Sequence, residues 1–166
     1  MMNRRTSLLA LASLPFVMAC TPEWKKPYRG PQVTRIIVQK STRKMYLMHG
    51  EKALKAYDID LGFGPVGHKQ FEGDGKTPEG VYLIDRRNEQ SDFHLSLGIS
   101  YPNDADRAFA EEHKKSPGGD IFIHGGPASW SKTGKDWTAG CISVTDDEIE
   151  EIWRMVRTGT QIVILP

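Results

Sequence analysis

Cysteine is nearly absent from this chain, with two residues in 166. A disulfide framework is therefore excluded, and even one bridge is disfavoured: Cys20 closes an apolar leader while Cys141 lies deep in the folded part. Charge of one sign is missing too. With 22 basic and 21 acidic residues the formal net charge is +1, and without the first nineteen residues it becomes 20 basic against 21 acidic, or −1. That balance excludes an electrostatic nucleic-acid binder. The longest apolar stretch, about Leu8 to Ala19, falls short of the ~20 residues a spanning helix needs. No C-x-x-C or H-x-x-x-H spacing marks a metal centre, and there is no internal repeat. At 166 residues and 39% hydrophobic content, one domain around one core is the expectation.

What is present at the N-terminus has the order of an export signal: paired Arg4 and Arg5, the apolar run, then small Ala19 before Cys20. "VMAC" resembles a bacterial lipobox, and "NRRTSLL" a twin-arginine signal. Residues 1–19 are thus expected to be a signal peptide, with Cys20 lipidated and the chain exported to the periplasmic side and held at a membrane by its lipid. Residues 20–31, around "TPEWKKPYRGP", read as a Pro-rich polar tether without apolar periodicity. The domain then occupies residues 32–166.

From Val33 the pattern is short β runs. "VTRIIVQ" and "KMYLMHG" flank the turn "KSTR", a third strand follows in "KALKAYDIDLG", and "GVYLIDRR", "HLSLGISY", "DIFIHGG", "CISV" and "QIVIL" complete the set. One helix is well signalled near the C-terminus. Thr145 can cap it with Glu148 three residues on, Ile149, Ile152, Trp153 and Val156 share a face, and Gly159 is expected to end it. A shorter helix is expected within "NDADRAFAEEHKK". The fold class is therefore mostly β.

His124 appears where its strand runs into glycines, and "TAGC" is a turn leading into the next strand. Were those strands neighbours, both side chains would reach one mouth. A thiol becomes a good nucleophile when a neighbour lowers its pKa or takes its proton, and a histidine in hydrogen-bond reach can do both. Gly140 lets a substrate carbonyl approach the N–H groups of Gly140 and Cys141, an oxyanion site. The carbonyl of Gly125 could accept the other ring N–H of His124 and fix its tautomer. Around this pair, His68 and Lys69 are candidates for a substrate carboxylate, and His94 and Tyr101 for a pocket-lining strand with a phenolic oxyanion donor. Trp130 and Trp137 are candidates for a lid over the site.

"HGG" followed by "TAGC", with His124 seventeen residues ahead of Cys141, resembles the signature of YkuD-type L,D-transpeptidases. The likeness extends over roughly residues 32–165 through "VTRIIVQKSTRKMYLMHG" and "GDGKTPEGVYLI", and "GHKQFEGDGKTPEG" resembles the subgroup that includes an enzyme detaching a lipoprotein from the cell wall. The resemblance implies a β-sandwich or barrel with two helices and a cysteine acyltransferase acting on peptidoglycan stem peptides. It assigns Cys141 as the acylated nucleophile, His124 as the base, Gly125 as its orienting carbonyl and Gly140 with Cys141 as oxyanion donors. No metal or organic cofactor is implied. Thr138 stands where the family has Ser or Thr, but Ala139 stands where it usually has histidine. Three outcomes remain open at this point: a transpeptidase; a hydrolase or amidase cutting stem peptides or a wall-linked lipoprotein; and a non-catalytic wall-binding lipoprotein.

Overall fold

A computed structural model describes residues 21–126 and 135–166. Strands β1 (Arg35–Gln39), β2 (Lys44–His49) and β3 (Lys52–Asp58) form an antiparallel meander. Ile36 and Val38 of β1 and Met45 and Leu47 of β2 bury completely, as period-2 alternation on a one-sided sheet requires. Next come β4 (Gly80–Ser91), β5 (His94–Ile99), helix α1 (Asp104–Glu112), β6 (Phe122–His124), β7 (Ile142–Ser143), helix α2 (Asp146–Met155) and β8 (Gln161–Leu165). The eight strands make one mixed sheet in the order β3-β2-β1-β8-β4-β5-β6-β7. Only β1–β8 and β6–β7 pair parallel.

Strand β4 divides this sheet. Gly80 to Leu83 pair with β8, while Ile84 to Ser91 pair with β5 through irregularities at Ile84/Arg86 and Asn88/Ser91. Such bulges bend a strand and increase its twist, so the second half of the sheet folds over the first. Beyond β3, Asp60 then bridges to Ser143 and Gly62 to Thr138, joining the two ends of the sheet. The expected sandwich or barrel is therefore a rolled sheet closed through the segment that carries Cys141. Its interior is aliphatic, with Ile84, Leu95, Leu97, Ile99, Ile123 and Ile142 all almost fully buried; each such side chain contributes roughly 1.5–3 kcal/mol of burial.

The helices follow their caps. Thr145 Oγ1 accepts from Glu148 N at 3.3 Å, and Glu148 Oε2 accepts from Thr145 N at 2.9 Å. Ile149, Ile152 and Trp153 fill the face toward β5 and β6. The helix stops at Met155, earlier than Gly159; that glycine, at φ 89°, serves the turn into β8, where its N–H donates to Ile84 O. Asn103 and Asp106 form the same reciprocal cap on α1. No described helix is long and apolar enough to cross a membrane. The leader and Cys20 lie outside the described residues.

The expected tether needs correction in its described part. Glu23–Lys25 is a 3₁₀ turn, Trp24 meets Trp153 of α2 edge-on at 6.0 Å, and Tyr28 packs against the core. Two large aromatics outweigh the prolines, because burying them offsets the entropy of fixing a short segment.

The loop between β3 and β4 is pinned by Asp74, which accepts from Gln70 N, Phe71 N, Lys76 N and the Lys69 ammonium at 2.8–3.0 Å. Burial pushes this carboxyl upward, but the backbone donors and Lys69 outweigh it and hold its pKa at about 2. A depressed pKa stabilises the fold above the unfolded value near 3.8 and ceases to do so as pH falls through about 2. Asp74→Asn should therefore cost about 2 kcal/mol at pH 6 and nothing at pH 2, read as a converging pair of urea denaturation midpoints.

Candidate active site

His124 ends β6 and is only 3% exposed. Its Nδ1 bonds the carbonyl of Gly125, so the proton sits on Nδ1 and Nε2 is left as an acceptor. Phe93 stacks on the ring at 4.5 Å and 25°, and Trp137 meets it edge-on at 5.8 Å. Burial lowers the pKa of His124, with the Gly125 bond opposing in part. The imidazole is therefore neutral near pH 7. Gly125 has no room for a side chain, because a Cβ there would lie 2.4 Å from Asp146 Oδ1 and 2.8 Å from Phe93 O.

Cys141 immediately precedes β7, and parallel pairing of β6 with β7 sets Ile123 against Ile142 and His124 against Ser143. His124 and Cys141 line one cleft of about 290 Å³ together with Asn88, Gln90, Phe93, Ser96, Asp120 and Phe122. The thiol's described hydrogen bond runs to Asp120 O at 3.6 Å rather than to the imidazole. Burial pushes the thiol pKa up, and the Phe122 N–H and Lys69 only partly offset that. Two neutral partners thus share the cleft, where separated charges are costly to bury.

The turn before Cys141 is tightly built. Thr138 Oγ1 donates to Cys141 O at 2.7 Å and accepts from Gly140 N at 3.2 Å. Gly140 N–H, expected at the oxyanion, is thereby engaged, whereas Cys141 N–H meets no acceptor among the described residues. Asp136 anchors the stretch from the other side through two bonds to Arg43, at 2.8 and 2.6 Å, and one from Leu61 N. Ala139 is exposed on this turn. Trp137 packs on His124, and Trp130 lies outside the described residues.

The remaining candidates stand apart from the cleft. Tyr101 follows β5 instead of belonging to it, is buried, and donates its hydroxyl to Pro117 O at 3.0 Å. His94 opens β5 at φ 69° and turns to Glu150 of α2, with Nε2 2.8 Å from Oε1. His68 accepts from Glu79 N and donates to Asp106, and buried Lys69 is spent on Phe71 O and Asp74. Buried polar groups must find partners, and these found them within the protein. Lys69 alone of the four acts on the sulfur, through its charge. Phe93 was the residue the sequence concealed. It is 42% exposed at the β4–β5 turn and covers the imidazole, and the signal was a large aromatic between Asp92 and His94 in a polar hairpin tip. Among the described residues, no three His, Cys, Asp or Glu side chains gather where a metal could bind.

A thiol, a tautomer-fixed neutral imidazole and a backbone N–H with no acceptor among the described residues thus meet around one cleft of a rolled β-sheet. The family model of the YkuD L,D-transpeptidase catalytic domain matches residues 33–164, and the chain belongs to that family. The YafK protein of Escherichia coli K12 is 32% identical over 139 residues, covering 81% of this chain and 51% of YafK. Among solved structures, a mutant of the helical cell shape determining protein Pgp2 from Campylobacter jejuni superposes with a TM-score of 0.63 at 25% identity, over 82% of this chain and 48% of that one. Bd1075 of Bdellovibrio bacteriovorus does so at 0.58 and 28%, over 81% and 48%. The chain thus spans about half the length of the relatives it matches.

Proposed function

We propose that the chain is an exported L,D-transpeptidase that acts on peptidoglycan stem peptides through a thioester at Cys141. The observation carrying this reading is that His124 has Nδ1 held by Gly125 and no partner for Nε2 among the described residues, in the same cleft as Cys141. Nε2 takes the S–H proton as Sγ attacks the carbonyl of the L-configured centre of the stem. Cys141 N–H receives the oxyanion, and the proton passes from His124 to the departing amine of the D-residue, leaving an acyl-thioester. A second stem's amine then attacks, gives its proton to Nε2 and releases the thiol with a new amide formed. The names of YafK's family and of Pgp2, a cell-shape protein, support a wall substrate. The leader and the lipobox-like "VMAC" support export to the periplasmic side and an anchor at Cys20.

Mass spectrometry of products tests this. Incubated with disaccharide tetrapeptide bearing diaminopimelate at its third position, the protein should release D-alanine and form a cross-linked dimer, and Cys141→Ala should do neither. Water at ~55 M loses to an amine only where the amine is positioned, and aligned groups reach effective molarities of ~10⁵ M or more. Release of D-alanine without dimer, or cleavage of a wall-linked lipoprotein, would establish the hydrolase instead. No turnover at all would sink both.

A further inference from the structure

We propose that the face formed by the 3₁₀ turn and α2 is a docking surface for anionic phospholipid headgroups, and that it holds the catalytic cleft turned away from the membrane. The inference goes beyond the wall activity and rests on the proposed anchor only for the choice of partner.

The residues after Cys20 are fixed in place. Trp24 packs on Trp153, and Glu23 accepts from Arg154 at 3.2 Å. Trp24 follows Cys20 by four positions, and a stretch of that length spans at most ~14 Å at ~3.5 Å per residue. A hollow of about 420 Å³ opens there, walled by Trp24, Tyr28 and Trp153 and carrying Lys25, Lys26 and Arg154. Arg87 also lines it, with Glu89 the one acid on its wall. Arg29 is exposed beside it in sequence, and Arg154 and Arg157 line the adjoining hollow of about 230 Å³. Opposing them, Glu23 pairs with Lys26 at 2.6 Å and with Arg154, and Glu151 of α2 lies close enough to feel the Arg154 charge. This cationic excess stands out in a chain whose residues 20–166 carry 20 basic and 21 acidic side chains. Aromatic bodies with basic heads are what a headgroup layer receives: rings at the interface, cations on phosphate.

Strand β4 supplies the orientation. Arg87 and Glu89 line the basic hollow while Asn88 and Gln90 line the Cys141 cleft. Successive strand residues point to opposite faces, so a membrane on the first face leaves the second open to the wall.

The buried core runs from Val33 to Ile164 with Trp24 packed against it, so residues 21–166 carry every element described. That protein should sediment with vesicles of phosphatidylglycerol and phosphatidylcholine in equal parts, and not with phosphatidylcholine alone. Binding should vanish in ~0.5 M salt. The Lys25→Ser/Lys26→Ser/Arg29→Ser variant should bind about a hundredfold more weakly, with stem-peptide turnover unchanged. In Cys141→Ser protein, a fluorophore at Glu89→Cys should be quenched by headgroup-labelled lipid at least twice as strongly as one at Asp92→Cys. No sedimentation, equal sedimentation with neutral vesicles, undiminished binding by the triple variant, or equal quenching would each overturn the proposal. Turnover with no vesicle binding would sink this inference alone, and vesicle binding with no turnover would sink the wall activity alone.

Discussion

His124→Ala is expected to lower kcat/KM for stem-peptide acylation by about 10³–10⁴-fold, close to the loss from Cys141→Ala, and the double variant should lose little more. The reason lies in the resting charges. Burial lifts the Cys141 pKa above its ordinary 9.0 and lowers that of His124 below 6.5. At pH 7 the thiol is then overwhelmingly protonated, and in the proposed mechanism acylation depends on Nε2 taking the proton during attack. Alkylation by iodoacetamide separates this from a preformed ion pair. Its rate at pH 7 should be no faster than that of a free thiol, should climb through and beyond pH 9, and should change by less than ~3-fold in His124→Ala. The kcat/KM profile should rise as His124 deprotonates below pH 6.5, stay level through neutrality and fall only above pH 9, since both shifts widen the interval in which thiol and free imidazole coexist. A fast alkylation at pH 7 that disappears in His124→Ala would show the ion pair and refute the neutral resting state.

The strands, both helices and the placement of Cys141 and His124 at one cleft could be read from the chain because they rest on local signals: alternation in "RIIVQ" and "KMYLMH", the Thr145/Glu148 cap, and glycines flanking the two residues. What stayed hidden depends on three dimensions. The closure of the sheet through Asp60 and Ser143 joins residues 83 positions apart. The direction of the Cys141 shift follows from burial, which a motif does not report. His68 and Lys69 looked like substrate contacts because polar residues in a turn suggest a ligand, and Tyr101 because its strand was expected to line the pocket; in the structure Asp106, Asp74 and Pro117 satisfy them. Phe93 stacks on His124 from a hairpin tip that follows an irregularity of β4 between Asn88 and Ser91, and such a bulge re-aims side chains in a way no local pattern reports. The docked Trp24 shows the same limit, since its partner Trp153 is distant in sequence.

Gly140→Ala should destabilise the fold by about 3–5 kcal/mol, combining a backbone conformation unsuited to a side chain with overpacking. Gly140 sits at φ 133°, and a Cβ on it would lie 2.7 Å from the Lys76 carbonyl and 3.2 Å from Ile121 Cδ1. The Lys76 carbonyl cannot step aside freely, because the Lys76 N–H is held by Asp74 at 3.0 Å. Gly62 presses from another side, its own missing Cβ falling 2.8 Å from Gly140 Cα. Gly159→Ala is the control: at φ 89° it has the conformational cost but nothing within 4 Å, so about 1–2 kcal/mol is expected. Urea denaturation of both variants reads the difference. Any Gly140→Ala protein that remains folded must shift the turn, and with it Cys141 N–H and Sγ together. A misplacement of ~1 Å can cost 10²-fold in rate, so its kcat should fall by at least that much while Gly159→Ala keeps full turnover. Equal destabilisation by the two alanines, or a folded Gly140→Ala protein with unchanged kcat, would show that the glycine turn does not set the position of Cys141 Sγ.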